Sequence, residues 1–157
     1  MSVKGKWALV TGASAGIGEA FAAALSSRGA NVILTARRVD RLDALAAALR
    51  AAHGVETLVI PADLARADAP EKIAAALAAA GRRVDILVNN AGYGQPGHFE
   101  EVGWATHQDF IALMATSYAH LAHLFLPGMQ ARGYGRIINV ASVAGLVPGA
   151  AGHTLYG

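Results

Sequence analysis

Two hydrophobic patterns alternate along the chain. Short apolar runs rich in β-branched residues stand at WALV (7–10), NVILT (31–35), VETLVI (55–60), VDILVN (84–89) and RIINVA (136–141). Between them lie Ala- and Leu-rich stretches, roughly 17–28, 40–52, 69–80 and 105–131, with the spacing of helices. Strand, helix, strand repeated in this way predicts right-handed crossovers and a parallel sheet covered on both faces. Glycines fall where the helices should stop: Gly29, Gly54, Gly81, and Gly133 with Gly135. No linker, low-complexity tail or repeat other than the βα unit interrupts the pattern. The 157 residues, 1–157, are expected to form a single domain.

Composition narrows the class. Apolar residues make up 54% of the chain and charged ones 15%, which suits a compact α/β protein and excludes a disordered one. The net charge of +2 is spread over scattered cations such as Lys4, Lys6, Arg28, Arg41, Arg82 and Arg83, so no nucleic-acid partner is expected. The chain has no cysteine, which excludes disulfides and thiolate metal sites. His120 and His123 stand three apart on a helix, but no matching carboxylate or third histidine is evident in the sequence, so no metal is expected. The apolar run WALV is too short for the roughly 7–15-residue core of a signal peptide. Residues 110–131 carry no formal charge, nearly the ~20 residues of a membrane span. They include Thr116, Ser117, His120, His123, Pro127, Gly128 and Gln130, so a buried or half-buried helix is the expectation, in a cytoplasmic protein without a membrane partner.

The first strand is followed at once by T-G-A-S-A-G-I-G, Thr11 to Gly18, and then by a helix. Gly12 lets the turn reverse, Gly16 lets a pyrophosphate approach the backbone, and Gly18 lets helix and strand pack closely. The N–H groups and dipole of the helix start supply an anion site. No Gly-Lys-Ser/Thr follows, which excludes a P-loop NTPase. The spacing G-x3-G-x-G resembles the signature of the short-chain dehydrogenase/reductase family.

Further motifs of that family follow in order. Asp63-Leu64 resembles its adenine-contacting pair, and Asn89-Asn90-Ala91-Gly92 its N-N-A-G element. Ser142 and Tyr156 resemble its catalytic serine and tyrosine. The resemblance implies a Rossmann-like doubly wound sheet of order 3-2-1-4-5, without the family's later strands, and a cofactor across the carboxyl ends of the strands. It implies cofactor contacts at Gly12, Ser14, Gly16, Ile17, Gly18, Arg37, Asp63, Leu64, Asn90, Ala91 and Gly92. The second strand ends Thr35-Ala36-Arg37-Arg38, with no acid for a ribose 2′-hydroxyl and two guanidiniums suited to a 2′-phosphate. NADP is therefore expected over NAD, with Arg37 the nearer candidate.

A tyrosine phenol, with an ordinary pKa near ~10, is an acid suited to protonating a developing alkoxide. The resemblance casts Tyr156 in that role and Ser142 as the donor that holds the substrate oxygen, in an oxidoreductase acting on a carbonyl or alcohol. The Gly/Pro-rich segment between them can fold the tyrosine back beside the serine. The family's lysine, four residues beyond its tyrosine, would fall past Gly157, so the chain is expected to be the N-terminal part of a longer enzyme. The family's catalytic asparagine matches Met114, counted back from the L-P-G-M turn, so a proton relay there would need Thr116, Ser117 or water. Alternatively, Phe110, Met114, Leu121 and Phe125 share a helical stripe and Met114 is core. Those departures leave a second reading, a non-catalytic NADP(H)-binding module. Tyr93, Phe99 and Trp104 read equally as a loop anchor or as a wall of the substrate pocket. The long helix near 105–131 is the expected surface of a homo-oligomer.

Overall fold

A computed structural model describes residues 2–146 and 155–156. Five parallel strands form one sheet: β1 (Trp7–Thr11), β2 (Asn31–Thr35), β3 (Thr57–Val59), β4 (Ile86–Asn89) and β5 (Arg136–Asn139), in the order β3-β2-β1-β4-β5. The expected topology is thus observed. The sequence reverses direction across the sheet between β1 and β4, and this opens a crevice beyond the carboxyl ends of the strands.

Alternate residues of each central strand face opposite ways, and both directions are apolar. Leu9, Ile33 and Leu87 pack with Ile73, Leu77, Leu121 and Met129 on one side. Ala8, Val10, Val32, Leu34, Ile86 and Val88 pack with Ala22, Leu42, Ala46 and Leu49 on the other. The covering helices are α1 (Gly16–Ser26), α2 (Val39–His53), α3 (Ala69–Ala79), α4 (Trp104–Ile111) and α5 (Ser117–Ala131). Gly54 closes α2 in the left-handed region, its N–H donating to Arg50 O at 2.9 Å. Gly135 has a different role from the helix stop expected of it. A Cβ there would meet Met129 Cγ at 2.7 Å, so it allows α5 and β5 to approach.

Three strands are shorter than their apolar runs, β3, β4 and β5, the last ending at Asn139. At the β3 edge Val55 and Glu56 lie outside the ladder, where the Glu56 N–H donates to the Asn31 side-chain oxygen at 2.9 Å. The run from Val84 begins its strand only at Ile86, because Asp85 turns its carboxylate inward to accept the Trp7 N–H at 3.1 Å. Among the described residues the outer edge of β5 has no strand beside it, and Ile137 is exposed there.

The predicted long helix is one rod from Trp104 to Ala131, interrupted by a π-helical turn at Ala112–Thr116. The Ser117 N–H reaches back five residues to Ala112 O, which leaves Leu113 O without its usual helical donor. The Ser117 hydroxyl takes that place, donating to Leu113 O at 2.8 Å. By length and composition this rod is able to cross a membrane, with mean hydropathy 1.3 in its most apolar window. Phe110, before that turn, and Ser117, Leu121 and Met129, after it, are instead buried in the fold. Only 17% of that window is buried, so the helix is more exposed than the expected half-buried one.

Candidate active site

The crevice at the carboxyl ends of the strands is a cleft of about 990 Å³. Gly12, Ser14 and Ile17 come to it from the β1–α1 turn, Arg37 and Arg38 from the end of β2, and Asp63 and Leu64 from the segment after β3. Asn90, Ala91 and Gly92 follow β4, while Ser142 follows β5 and Tyr156 joins them. Of the expected site residues only Gly16 and Gly18 do not line it; Gly18 is packed behind the turn, and Gly16 stands exposed beside it.

The glycine turn is close-packed where packing is needed and open where a ligand would come. A Cβ on Gly18 would collide with the Gly12 carbonyl and lie 2.6 Å from Asn90 Nδ2. Gly16, at φ +58, has nothing within 4 Å of its missing Cβ. α1 begins there with no side-chain cap on its free N–H groups, which leaves them available to an anion. On the cleft floor the buried Thr35 Oγ1 has no hydrogen-bond partner among the described residues. Open space over Gly16, an uncapped helix start and an orphaned hydroxyl together fit a bound dinucleotide.

Thr11 ties this turn to the N-N-A-G element. Its Oγ1 accepts the N–H groups of Asn90 and Ala91 at 2.8 and 2.9 Å and donates to Val88 O at 3.2 Å. Asn90 Nδ2 returns a bond to Thr11 O at 2.9 Å. Asn89 points elsewhere, donating to Asn139 Oδ1 at 2.9 Å and so bracing β4 against β5.

The two arginines divide their work. Arg38 donates from Nε and Nη2 to Ser14 Oγ at 3.1 and 2.9 Å, which ties the end of β2 to the glycine turn. Arg37 is exposed at the cleft and makes no hydrogen bond or ion pair among the described residues. Asp63 uses Oδ1 to accept the Ala65 N–H at 3.2 Å.

At the other end, Ser142 Oγ accepts the Ala144 N–H at 3.2 Å, which leaves its own proton free to donate. Tyr156 is half-buried, edge-on to Phe110 with ring centroids 6.5 Å apart. The segment expected to fold it beside Ser142 lies mostly in 147–154, outside the described residues. Leu113, Met114 and Tyr93 form an apolar wall, and Asp109 adds a carboxylate.

Met114 leaves the core stripe expected for it. Phe110 and Leu121 are buried, whereas the Met114 sulfur faces the cleft, 2.6 Å from where a Gly92 Cβ would stand. Met114 lies inside the π-helical turn, whose wider winding takes it off the stripe that regular helical spacing from Phe110 would give. Thr116 and Ser117 are not cleft groups either. Thr116 lines a groove on the outer face with Ala119, His120 and His123, and the Ser117 hydroxyl is spent on Leu113 O. The hydroxyl that this helix does bring to the cleft is that of Tyr118, which the sequence motifs do not mark.

The aromatic segment splits in the same way. Tyr93 lines the cleft, while Phe99 stacks on His107 at 4.5 Å and Trp104 stands edge-on to it. Neither lines the cleft: Phe99 anchors its loop on the buried His107, and Trp104 stays largely exposed at the start of α4. His120 does have a carboxylate nearby, Glu71 of α3, at 3.9 Å. Among the described residues no three His, Cys, Asp or Glu side chains are grouped to hold a metal.

The family model for short chain dehydrogenases matches residues 6–157, and the chain belongs to that family. Very-long-chain 3-oxoacyl-CoA reductase-A of Danio rerio is 39% identical over 150 residues, covering 92% of this chain and 46% of that protein. L-sorbose reductase from Gluconobacter frateurii, solved with NADPH and L-sorbose, is 37% identical with TM-score 0.87, over 92% of this chain and 55% of that one. A metagenomic short-chain oxidoreductase solved with NADP is 42% identical with TM-score 0.88, over 98% and 69%. The chain spans about half the length of the curated relatives it matches.

Proposed function

We propose that this chain binds NADP(H) and carries the proton donor and the orienting donor of a carbonyl reductase or alcohol dehydrogenase. The observation that carries the reading is a single cleft with Arg37, Asp63 and the glycine turn at one end, and Ser142 and Tyr156 at the other. The relatives support it, since two of the similar structures hold NADPH or NADP and the names are those of two reductases and an oxidoreductase. No relative named above supports the alternative of a module without catalysis.

The nicotinamide, when bound, supplies or takes the hydride. The protein orients the substrate and handles one proton. Ser142, with its oxygen held by the Ala144 N–H, aims its proton at the substrate oxygen, and the Tyr156 phenol donates to that oxygen as charge develops. In the oxidising direction the same oxygen, as the phenolate, takes the proton from the alcohol. Tyr93, Leu113 and Met114 suit a moderately apolar carbonyl or alcohol. The exposed outer face of the helical rod, including Trp104, Ile111 and Leu126, is the surface through which we expect copies of the protein to associate.

Arg37 is the group for the 2′-phosphate, because Arg38 is already bonded to Ser14. A charged hydrogen bond of ~1.5–3 kcal/mol corresponds to about ten- to hundredfold preference for NADPH over NADH. Titrating the chain and Arg37→Ala with both cofactors tests this. Tight NADPH binding that falls to the NADH level in the variant is the expected result; equal affinities in the unaltered chain refute the assignment.

A further inference from the structure

Tyr118 stands in the first turn of α5, directly after Ser117. An uninterrupted α-helix turns about 100° per residue, so the extra residue of the π-helical turn re-aims every side chain after it by roughly that angle. The Ser117 hydroxyl closes the bulge on Leu113 O, and Tyr118 takes the angular place that Ser117 would have in an uninterrupted helix, which brings it to the cleft beside Met114, Ser142 and Tyr156.

Two hydrogen bonds hold Tyr118 there. Its main-chain carbonyl accepts from Asn89 Nδ2 at 3.3 Å, and its hydroxyl donates to the Ala91 carbonyl at 3.0 Å. The N–H of Ala91 is already bonded to Thr11. Residue 91 is thus fixed from β1 through its N–H and from the helix through its C=O. Beyond it come Gly92, Tyr93 and Gly94, in a segment without regular secondary structure. Glycines leave the backbone free to pivot, so the two hydrogen bonds at Ala91 set where this segment starts, and the Tyr93 ring then packs edge-on against Phe110 at 5.4 Å.

We propose that Tyr118 is a positioning residue: by holding the Ala91 carbonyl it fixes the Asn90–Ala91–Gly92 wall against which the nicotinamide half of the cofactor lies. The proposal rests on the NADP(H) reading above. Burial, and then the charge that Tyr156 would carry, push the Tyr118 hydroxyl up to about 12. It is therefore a protonated donor at neutral pH. The Arg37 end of the cleft lies across the sheet from it, beyond β1 and next to β2, so the two halves of the cofactor are held by separate groups.

The test uses two ligands: NADPH, and adenosine 2′,5′-bisphosphate, which has the 2′-phosphate end but no nicotinamide. Tyr118→Phe keeps the ring and removes the hydrogen bond. It is expected to weaken NADPH binding by about three- to tenfold, the equivalent of one hydrogen bond, and to leave the bisphosphate within about twofold. Thermal unfolding of the variant reports whether the fold is intact. Unchanged NADPH affinity, or equal weakening of both ligands, overturns the positioning role. If the unaltered chain binds neither ligand, the cofactor reading fails first and this inference falls with it.

Discussion

The hydroxyl oxygen of Thr11 lies 2.8 Å from the amide nitrogen of Asn90 and accepts its hydrogen bond. The two residues are far apart in sequence, but β1 and β4 are neighbours in the sheet, and both strands end at this point. One threonine therefore satisfies two buried N–H groups after β4, those of Asn90 and Ala91, and the Asn90 amide returns a bond to the Thr11 carbonyl. The floor of the cleft is built on this exchange.

Thr11→Val keeps the shape and removes every bond of the hydroxyl. Two N–H groups would lose their acceptor at ~1–3 kcal/mol each, so a loss of about 2–6 kcal/mol is expected. Thr11→Ser keeps the acceptor and gives up only a methyl, at roughly 1 kcal/mol. Urea unfolding of the three proteins measures this. A valine variant as stable as the parent would remove Thr11 from the account of the cleft.

Gly18 is the tightest point of the turn. Gly18→Ala places a methyl against the Gly12 carbonyl and Asn90 Nδ2, both belonging to cleft residues that cannot move independently. Overpacking of this kind costs about 1–3 kcal/mol, and the displaced Gly12 and Asn90 should lower NADPH affinity as well. Gly94→Ala is the control, since nothing lies within 4 Å of its missing Cβ. It should change stability by no more than about 0.5 kcal/mol. Paired unfolding and NADPH titrations distinguish the two sites.

Asp85 tests the opposite end of the sheet. Its buried carboxylate accepts the Trp7 N–H at 3.1 Å and faces Arg83 and Arg132 at 3.3 and 3.4 Å. Asp85→Ala leaves that N–H and both guanidiniums without their acceptor. Breaking a buried pair costs about 3–5 kcal/mol. The lower end is expected, because both arginines keep contact with water and Arg132 also donates to Val84 O. The site is remote from the cleft, so the folded variant should bind NADPH as the parent does. A drop in affinity at full folding would show that strain at this end reaches the cofactor site.

The glycine turn, N-N-A-G, Ser142 and Tyr156 are legible in the sequence because each answers a backbone or chemical demand that few residue types meet. Gly18 has no room for a Cβ, and Asn90 needs both an amide and its N–H to meet Thr11. Tyr118 is not legible. Its position depends on one extra residue in a helical turn, and the stretch ALMAT carries no mark of a π-helix. The same turn separates the two readings of Met114, which lines the cleft and not the core stripe. The partner of Arg38 was also hidden, since Ser14 and the end of β2 meet only when β1 and β2 pair. β3 is an edge strand: an apolar run shows which residues want burial, while its ladder, with β2 as its one neighbour, covers only Thr57–Val59 against Val32–Leu34.

Tyr118 also predicts how the fold responds to alkali. In the unfolded chain a tyrosine gives up its proton near pH ~10, whereas in the fold burial and the Tyr156 charge push the Tyr118 hydroxyl up to about 12. The native state then holds a proton that the unfolded state has released. Stability from this group is complete below pH ~10 and is lost as pH rises from there through about 12. Tyrosinate absorbance should show one late-titrating phenol that is missing in Tyr118→Phe. Urea midpoints should fall more steeply over that window in the parent than in the variant. Parallel losses in the two proteins would mean that the Tyr118 hydroxyl titrates as a solvent-exposed one and does not hold Ala91.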